Sequence, residues 1–127
     1  MIPCVVFKPG VALGDPPTSC QIRILAVLDH AARVMMLESL VTCGREAHPS
    51  TDPHTRGQAL DIGIHGLTEE QILALYNSLT VELGGAFTVL YEVKEHTVGM
   101  LTKIEYLSLH ATAPHIHVQS KIGTSWP

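Results

Sequence analysis

Basic residues are scarce in this chain. Eight Lys plus Arg stand against twelve Asp plus Glu in 127 residues, a net charge of −4. That balance offers no cationic face to a phosphate backbone or an anionic bilayer, which excludes nucleic acid and membrane surfaces as expected partners. Long apolar runs are missing too, and nothing approaches the roughly 20 residues that a bilayer-spanning helix needs. The start, from Met1 to Gly10, has no basic segment ahead of its apolar stretch and is interrupted by Pro3 and Pro9, so no secretory signal is visible. Three cysteines, Cys4, Cys20 and Cys43, are odd in number and share no Cys-x-x-Cys spacing, which argues against a disulfide framework and against a thiolate zinc site. Aromatics are few, and here the composition turns informative: eight His exceed five Phe plus Tyr. Histidine is the commonest transition-metal ligand, so this excess points toward a metal.

With 46% hydrophobic and 16% charged residues the composition is that of an ordinary globular protein, and the length suits one domain over residues 1–127, expected as a monomer. Residues 1–18 carry four prolines and two glycines, predicting an irregular segment with a short strand at Cys4 to Phe7. Ser19 is a plausible N-cap for an amphipathic helix through Ile22, Leu25, Ala26 and Leu28 that ends near Arg33, and Val34 to Thr42 then reads as extended. Leu60, Ile62 and Ile64 alternate along a short buried strand. Thr68 and Gln71 form a capping box, after which Ile72, Leu75, Tyr76 and Leu79 continue a helical stripe up to Gly84-Gly85. Phe87 to Glu92, Leu101 to Leu107 and His115 to Gln119 are strand-like. The expected class is α+β: a small antiparallel sheet with helices packed on one side and a zinc site on its open face.

Two stretches concentrate metal-competent side chains, His54 to Asp61 and Pro114 to Gln119. On a strand, residues two apart share a face, so His115 and His117 project together while Ile116 and Val118 face the core. Gly57 can close a turn between His54 and Asp61, bringing imidazole and carboxylate to one centre. An Asp on an otherwise apolar strand is costly to bury without a compensating partner, and a metal is one of few adequate ones. Two imidazoles, one carboxylate and an open fourth position make the inner shell of a catalytic zinc. Of the other histidines, His30, His48, His96 and His110 read as non-ligands. His65 is the rival ligand, assigned instead to a supporting or surface role.

The first stretch resembles the Ser-x-His-x-x-Gly-x-Ala-x-Asp signature of the D-alanyl-D-alanine carboxypeptidase superfamily of zinc peptidases. That superfamily also includes phage L-alanyl-D-glutamate endolysins and the metal-binding Hedgehog signalling domain. His54, Gly57, Ala59 and Asp61 match the signature, Asp52 replaces its serine, and His115 and His117 match the family's closing His-x-His. The resemblance spans about residues 41–121. It implies one Zn²⁺ held by His54, Asp61 and His117, with His115 beside the metal as a catalytic or transition-state-stabilising residue. Val41 to Arg45 is similar to the family's Ser-Gly-x-Arg strand, implying that Arg45 binds a substrate carboxylate or carbonyl oxygen. Glu92 ends a strand like the one that brings an acidic residue close to the metal in Hedgehog-like relatives, which makes it the candidate general base.

The implied activity is hydrolysis of short peptides containing D-amino acids, such as peptidoglycan stems, by a D,D-carboxypeptidase or an L-Ala-D-Glu endopeptidase. Without a visible signal, a cytoplasmic enzyme or a phage lysin released to the wall is expected. The alternative is a Hedgehog-like module that keeps the metal for structure or partner binding and does not hydrolyse; a metal-free globular domain is the third reading.

Overall fold

A computed structural model of the chain describes residues 5–44, 57–95, 104–107 and 113–121. Along the chain it runs β1 (Val5–Phe7), α1 (Ser19–Met35), β2 (Ser39–Cys43), β3 (Ala59–Gly63), α2 (Glu69–Leu83), a single 3₁₀ turn at Gly84–Ala86, β4 (Phe87–Val93), β5 (Glu105–Leu107) and β6 (His115–Ser120). The six strands form one sheet in the order β1-β2-β3-β6-β4-β5.

Both helices start with the same device. Thr18 and Thr68 are the N-caps; each side-chain oxygen accepts from the backbone N–H of the Gln three residues on (3.1 Å), and each Gln oxygen accepts from the cap's own N–H (2.9 Å). A cap of this kind contributes about 1 kcal/mol. The cap of α1 is thus Thr18 and not Ser19, because Thr18 has Gln21 at the third helical position whereas Ser19 would place the apolar Ile22 there. Nor does α1 stop near Arg33. It continues to Met35 and closes at Met36, in the left-handed region at φ 56°, where the N–H groups of Met36 and Leu37 return to the carbonyls of Arg33 and Ala32. The extended segment is correspondingly shorter and begins at Ser39.

The sheet is α+β as expected but mixed, which corrects the antiparallel expectation. β2, β3, β6 and β4 pair antiparallel, while the edge pairs β1·β2 and β4·β5 are parallel. For β1·β2 the physical reason is connectivity: α1 carries the chain from β1 back to the starting end of the sheet before β2, and such a crossover makes a parallel pair. The strand expected over Leu101 to Leu107 is described only from residue 104 onward, and Cys4 also lies outside the described residues.

Val41, Leu60, Ile62, Val89, Tyr91, Ile116 and Val118 project from one face of the sheet into a single apolar cluster with Ile24 and Leu28 of α1 and Ile72, Leu75 and Leu79 of α2. Each such side chain, fully buried, contributes about 1.5–3 kcal/mol. Val11 and Leu13 of the proline-rich N-terminal segment pack partly against the same cluster. Both helices therefore cover one face, and strand alternation leaves the other face for different chemistry. No helix among the described residues is long and apolar enough to cross a membrane.

The first turn of α1 is tied to the residues that enter β3. The Thr18 hydroxyl donates to the Gly57 carbonyl, and the Cys20 thiol donates to the Gln58 carbonyl at 3.4 Å. Gly57 has φ +71°, and a Cβ there would stand 2.5 Å from Thr18 Cγ2. Gly57→Ala is therefore expected to lower the unfolding free energy by more than about 1 kcal/mol, and a urea titration with an unchanged midpoint would disprove this tie. Cys20 is fully buried, and burial pushes its thiol up to about 11, outweighing the lowering by the backbone at Ser120. At neutral pH roughly one thiol in 10⁴ is then ionised. In a variant with Cys4 and Cys43 replaced by Ser, maleimide labelling of Cys20 should be slow in buffer and fast in denaturant; equal rates would show that the site is open.

Candidate metal centre

β6 lies between β3 and β4, and the registers decide what meets on the face away from the helices. Asp61 pairs with His117 and Gly63 with His115 on one side of β6, while Leu90 pairs with His117 and Glu92 with His115 on the other. Ile116 and Val118, the alternate residues of β6, are fully buried in the core. Cross-strand neighbours on one face have Cβ atoms about 4.5–5.5 Å apart, so short carboxylate and imidazole side chains reach one another. Asp61, Glu92, His115 and His117 consequently form one cluster on three adjoining strands.

The cluster is tightly hydrogen-bonded. His117 Nδ1 is 2.8 Å from Asp61 Oδ1, and its Nε2 is 2.7 Å from Gln119 Oε1. His115 Nε2 is 2.9 Å from Glu92 Oε1, and its Nδ1 donates to the Ala113 carbonyl at 2.9 Å. The side chains of all four charged or ionisable residues retain only 11–17% exposure. Such groups are costly to withdraw from water unless each finds a partner of opposite charge or a cation.

Burial alone lowers the affinity of both imidazoles for a proton, but their partners reverse the outcome. For His115 the hydrogen bond to Glu92 and the charge of Asp61 raise the pKa above the ordinary imidazole value; for His117 the hydrogen bond to Asp61 and its charge do so. Both are thus held in a field set by two carboxylates, the kind of field that also attracts a metal cation.

Oxygens of Asp61 and Glu92 and a ring nitrogen of His117 all lie within 4.8 Å of one another, so this triad could hold a metal ion. The donor set suits a borderline or hard divalent cation. Bonds of about 2.1 Å in a tetrahedral site put donors roughly 3.4 Å apart, a value bracketed by the 2.8 Å between His117 and Asp61 and the 4.0 Å between His117 and Glu92. Small side-chain adjustments would therefore bring His117 to coordination-shell distances from both carboxylates. His115 Nε2, 3.7 Å from Asp61 Oδ1, stands at its rim.

Of the residues singled out in the sequence, Asp61, Glu92, His115 and His117 are brought together, while His54 and Arg45 lie outside the described residues. Glu92, expected as a base, also has a ligand's position. Its reach toward Asp61 and His117 follows from the β4·β6 register, which no local pattern reveals. Gln119 had no assigned role, although its spacing from His115 and His117 places it on their face. His65 is exposed just beyond the end of β3, and His30 is exposed on α1 at 3.6 Å from Glu82, so neither joins the cluster. His48, His96 and His110 fall outside the described residues. Comparison with protein-family models, curated proteins and solved structures finds no match, so the reading of the centre rests on its geometry and on the sequence motifs.

The centre should bind one divalent ion per chain. Asp61→Ala and His117→Ala should each weaken binding by more than the 10–100-fold typical of losing an outer-shell group, measured by competition with a chromogenic chelator. Full retention of metal in both variants would dissolve the site. Glu92→Gln separates the two roles of Glu92: it lowers affinity if the carboxylate is a ligand and leaves affinity intact if it is a base.

Proposed function

We propose that this chain is a zinc-dependent metallopeptidase that hydrolyses short peptides containing D-amino acids, with peptidoglycan stem peptides as the substrate class. The observation that carries the reading is the joint placement of Asp61, Glu92, His115 and His117 on one sheet face, the residues for which the resemblance implies metal ligation and proton handling. Asp61 and His117 hold the metal, with His54 as the third ligand that the motif implies. A bound zinc ion supplies Lewis acidity, which polarises a carbonyl and acidifies water.

The residues of the chain supply the rest. Glu92 is an acceptor for the proton that attacking water must lose, and it stands 2.9 Å from the His115 ring. Both ring nitrogens of His115 donate to oxygen acceptors, the Ala113 carbonyl and Glu92 Oε1, so the ring is assigned to place positive charge at the rim of the site, on the side where negative charge develops on the carbonyl. Arg45 is assigned to the free carboxylate of a C-terminal D-alanine or a D-glutamate, which a guanidinium pairs with in bidentate geometry.

Zinc-loaded protein should release D-alanine or split L-Ala-D-Glu stems from purified muropeptides, with products read by mass spectrometry. His115→Ala should keep its zinc and lose roughly 10²-fold or more in kcat/KM. If wild type binds zinc stoichiometrically but cleaves neither bond between about pH 5 and 9, a window that brackets the pKa of water on zinc, the peptidase reading fails and a non-hydrolytic metal-binding module takes its place.

A further inference from the structure

We infer that Gln119 is a positioning residue of the metal centre: its side-chain oxygen holds the His117 proton on Nε2 and so turns the Nδ1 lone pair toward a cation shared with Asp61. The inference rests on the metal reading of the site and adds a residue that neither the motif nor the ligand triad contains. Its basis is the division of the His117 ring. Nδ1 faces the carboxylates, 2.8 Å from Asp61 and 4.0 Å from Glu92, whereas Nε2 faces Gln119 Oε1 at 2.7 Å. The two ring nitrogens point in divergent directions, so one cation engages only one of them.

The Gln oxygen is an acceptor without a proton to give, so the short contact requires a hydrogen on Nε2. The 2.8 Å contact with Asp61 Oδ1 likewise places a hydrogen on Nδ1; a cation bound beside that carboxylate would displace this proton to solvent, and the imidazole that keeps its proton on Nε2 then offers its Nδ1 lone pair to the metal. An amide achieves this without setting a third negative charge beside Asp61 and Glu92. The sheet prepares the contact: Gln119 lies two residues beyond His117 on the same face of β6, between Ala59 on β3 and Thr88 on β4. Ala59 presents only a methyl group beside it.

Zinc affinity by chelator competition, together with long-range imidazole ¹H–¹⁵N correlation spectra of the zinc-loaded protein, tests the inference. In wild type, His117 should be coordinated through Nδ1 and protonated on Nε2. Gln119→Leu, which keeps the bulk but removes the acceptor, should weaken zinc binding 10–100-fold, the usual cost of losing an outer-shell partner. Gln119→Glu restores an acceptor and should bind within roughly threefold of wild type or more tightly. Coordination of His117 through Nε2, wild-type affinity in Gln119→Leu, or an equal loss in Gln119→Glu would each overturn the role of Gln119 while leaving the metal site standing. Absence of zinc binding by wild type would instead remove the metal reading itself, and this inference with it.

Discussion

The position of β6 between β3 and β4 is the constraint on which the rest of the candidate site depends. Ile116 and Val118 are fully buried opposite Ile62 and Leu60 on one side and Tyr91 and Val89 on the other. Sliding β6 by one residue would drive His117 into the apolar core and turn Ile116 out to the other face, because side chains alternate with a period of two. Hydrophobic burial therefore holds the strand in register. The same register lines up Asp61, His117, His115 and Glu92 on the opposite face, so the core defines the polar cluster without contributing an atom to it.

The cluster then makes its own demand. Two carboxylates and two imidazoles sit with little exposure, and each ring nitrogen meets an oxygen within 2.9 Å. Removing one member leaves another poorly solvated and without its counter-charge, so the four behave as a unit and not as separable contacts. A metal cation could engage the same carboxylates. Further out, the bonds from Thr18 and Cys20 to the carbonyls of Gly57 and Gln58 anchor the entrance to β3. The helix layer thereby fixes the chain only a few residues before Asp61.

Much of the fold is legible in local pattern. Thr68 and Gln71 announce α2, alternating Leu60 and Ile62 announce β3, and the His-x-His on an apolar strand predicts which residues of β6 face the core. Local pattern misplaces other features for identifiable reasons. Thr18 and Ser19 are both acceptable caps until the reciprocal bond with Gln21 is considered. Val34 favours an extended backbone by propensity, yet it remains helical because the closing bonds at Met36 and Leu37 lie beyond it.

By itself, then, the sequence determined the α+β class, the identity of the metal-competent residues and the face that each shares with its neighbours on its own strand, since these follow from capping chemistry and from periods of two and 3.6 residues. Only the tertiary structure decided that β6 enters between β3 and β4, that the edge pairs are parallel, that Glu92 comes within reach of Asp61 and His117, and that Gln119 rather than solvent meets the outer nitrogen of His117. Those outcomes depend on which strands become neighbours. Strand neighbours are chosen by the fit of the whole apolar face against both helices, a long-range property that no window of the sequence contains.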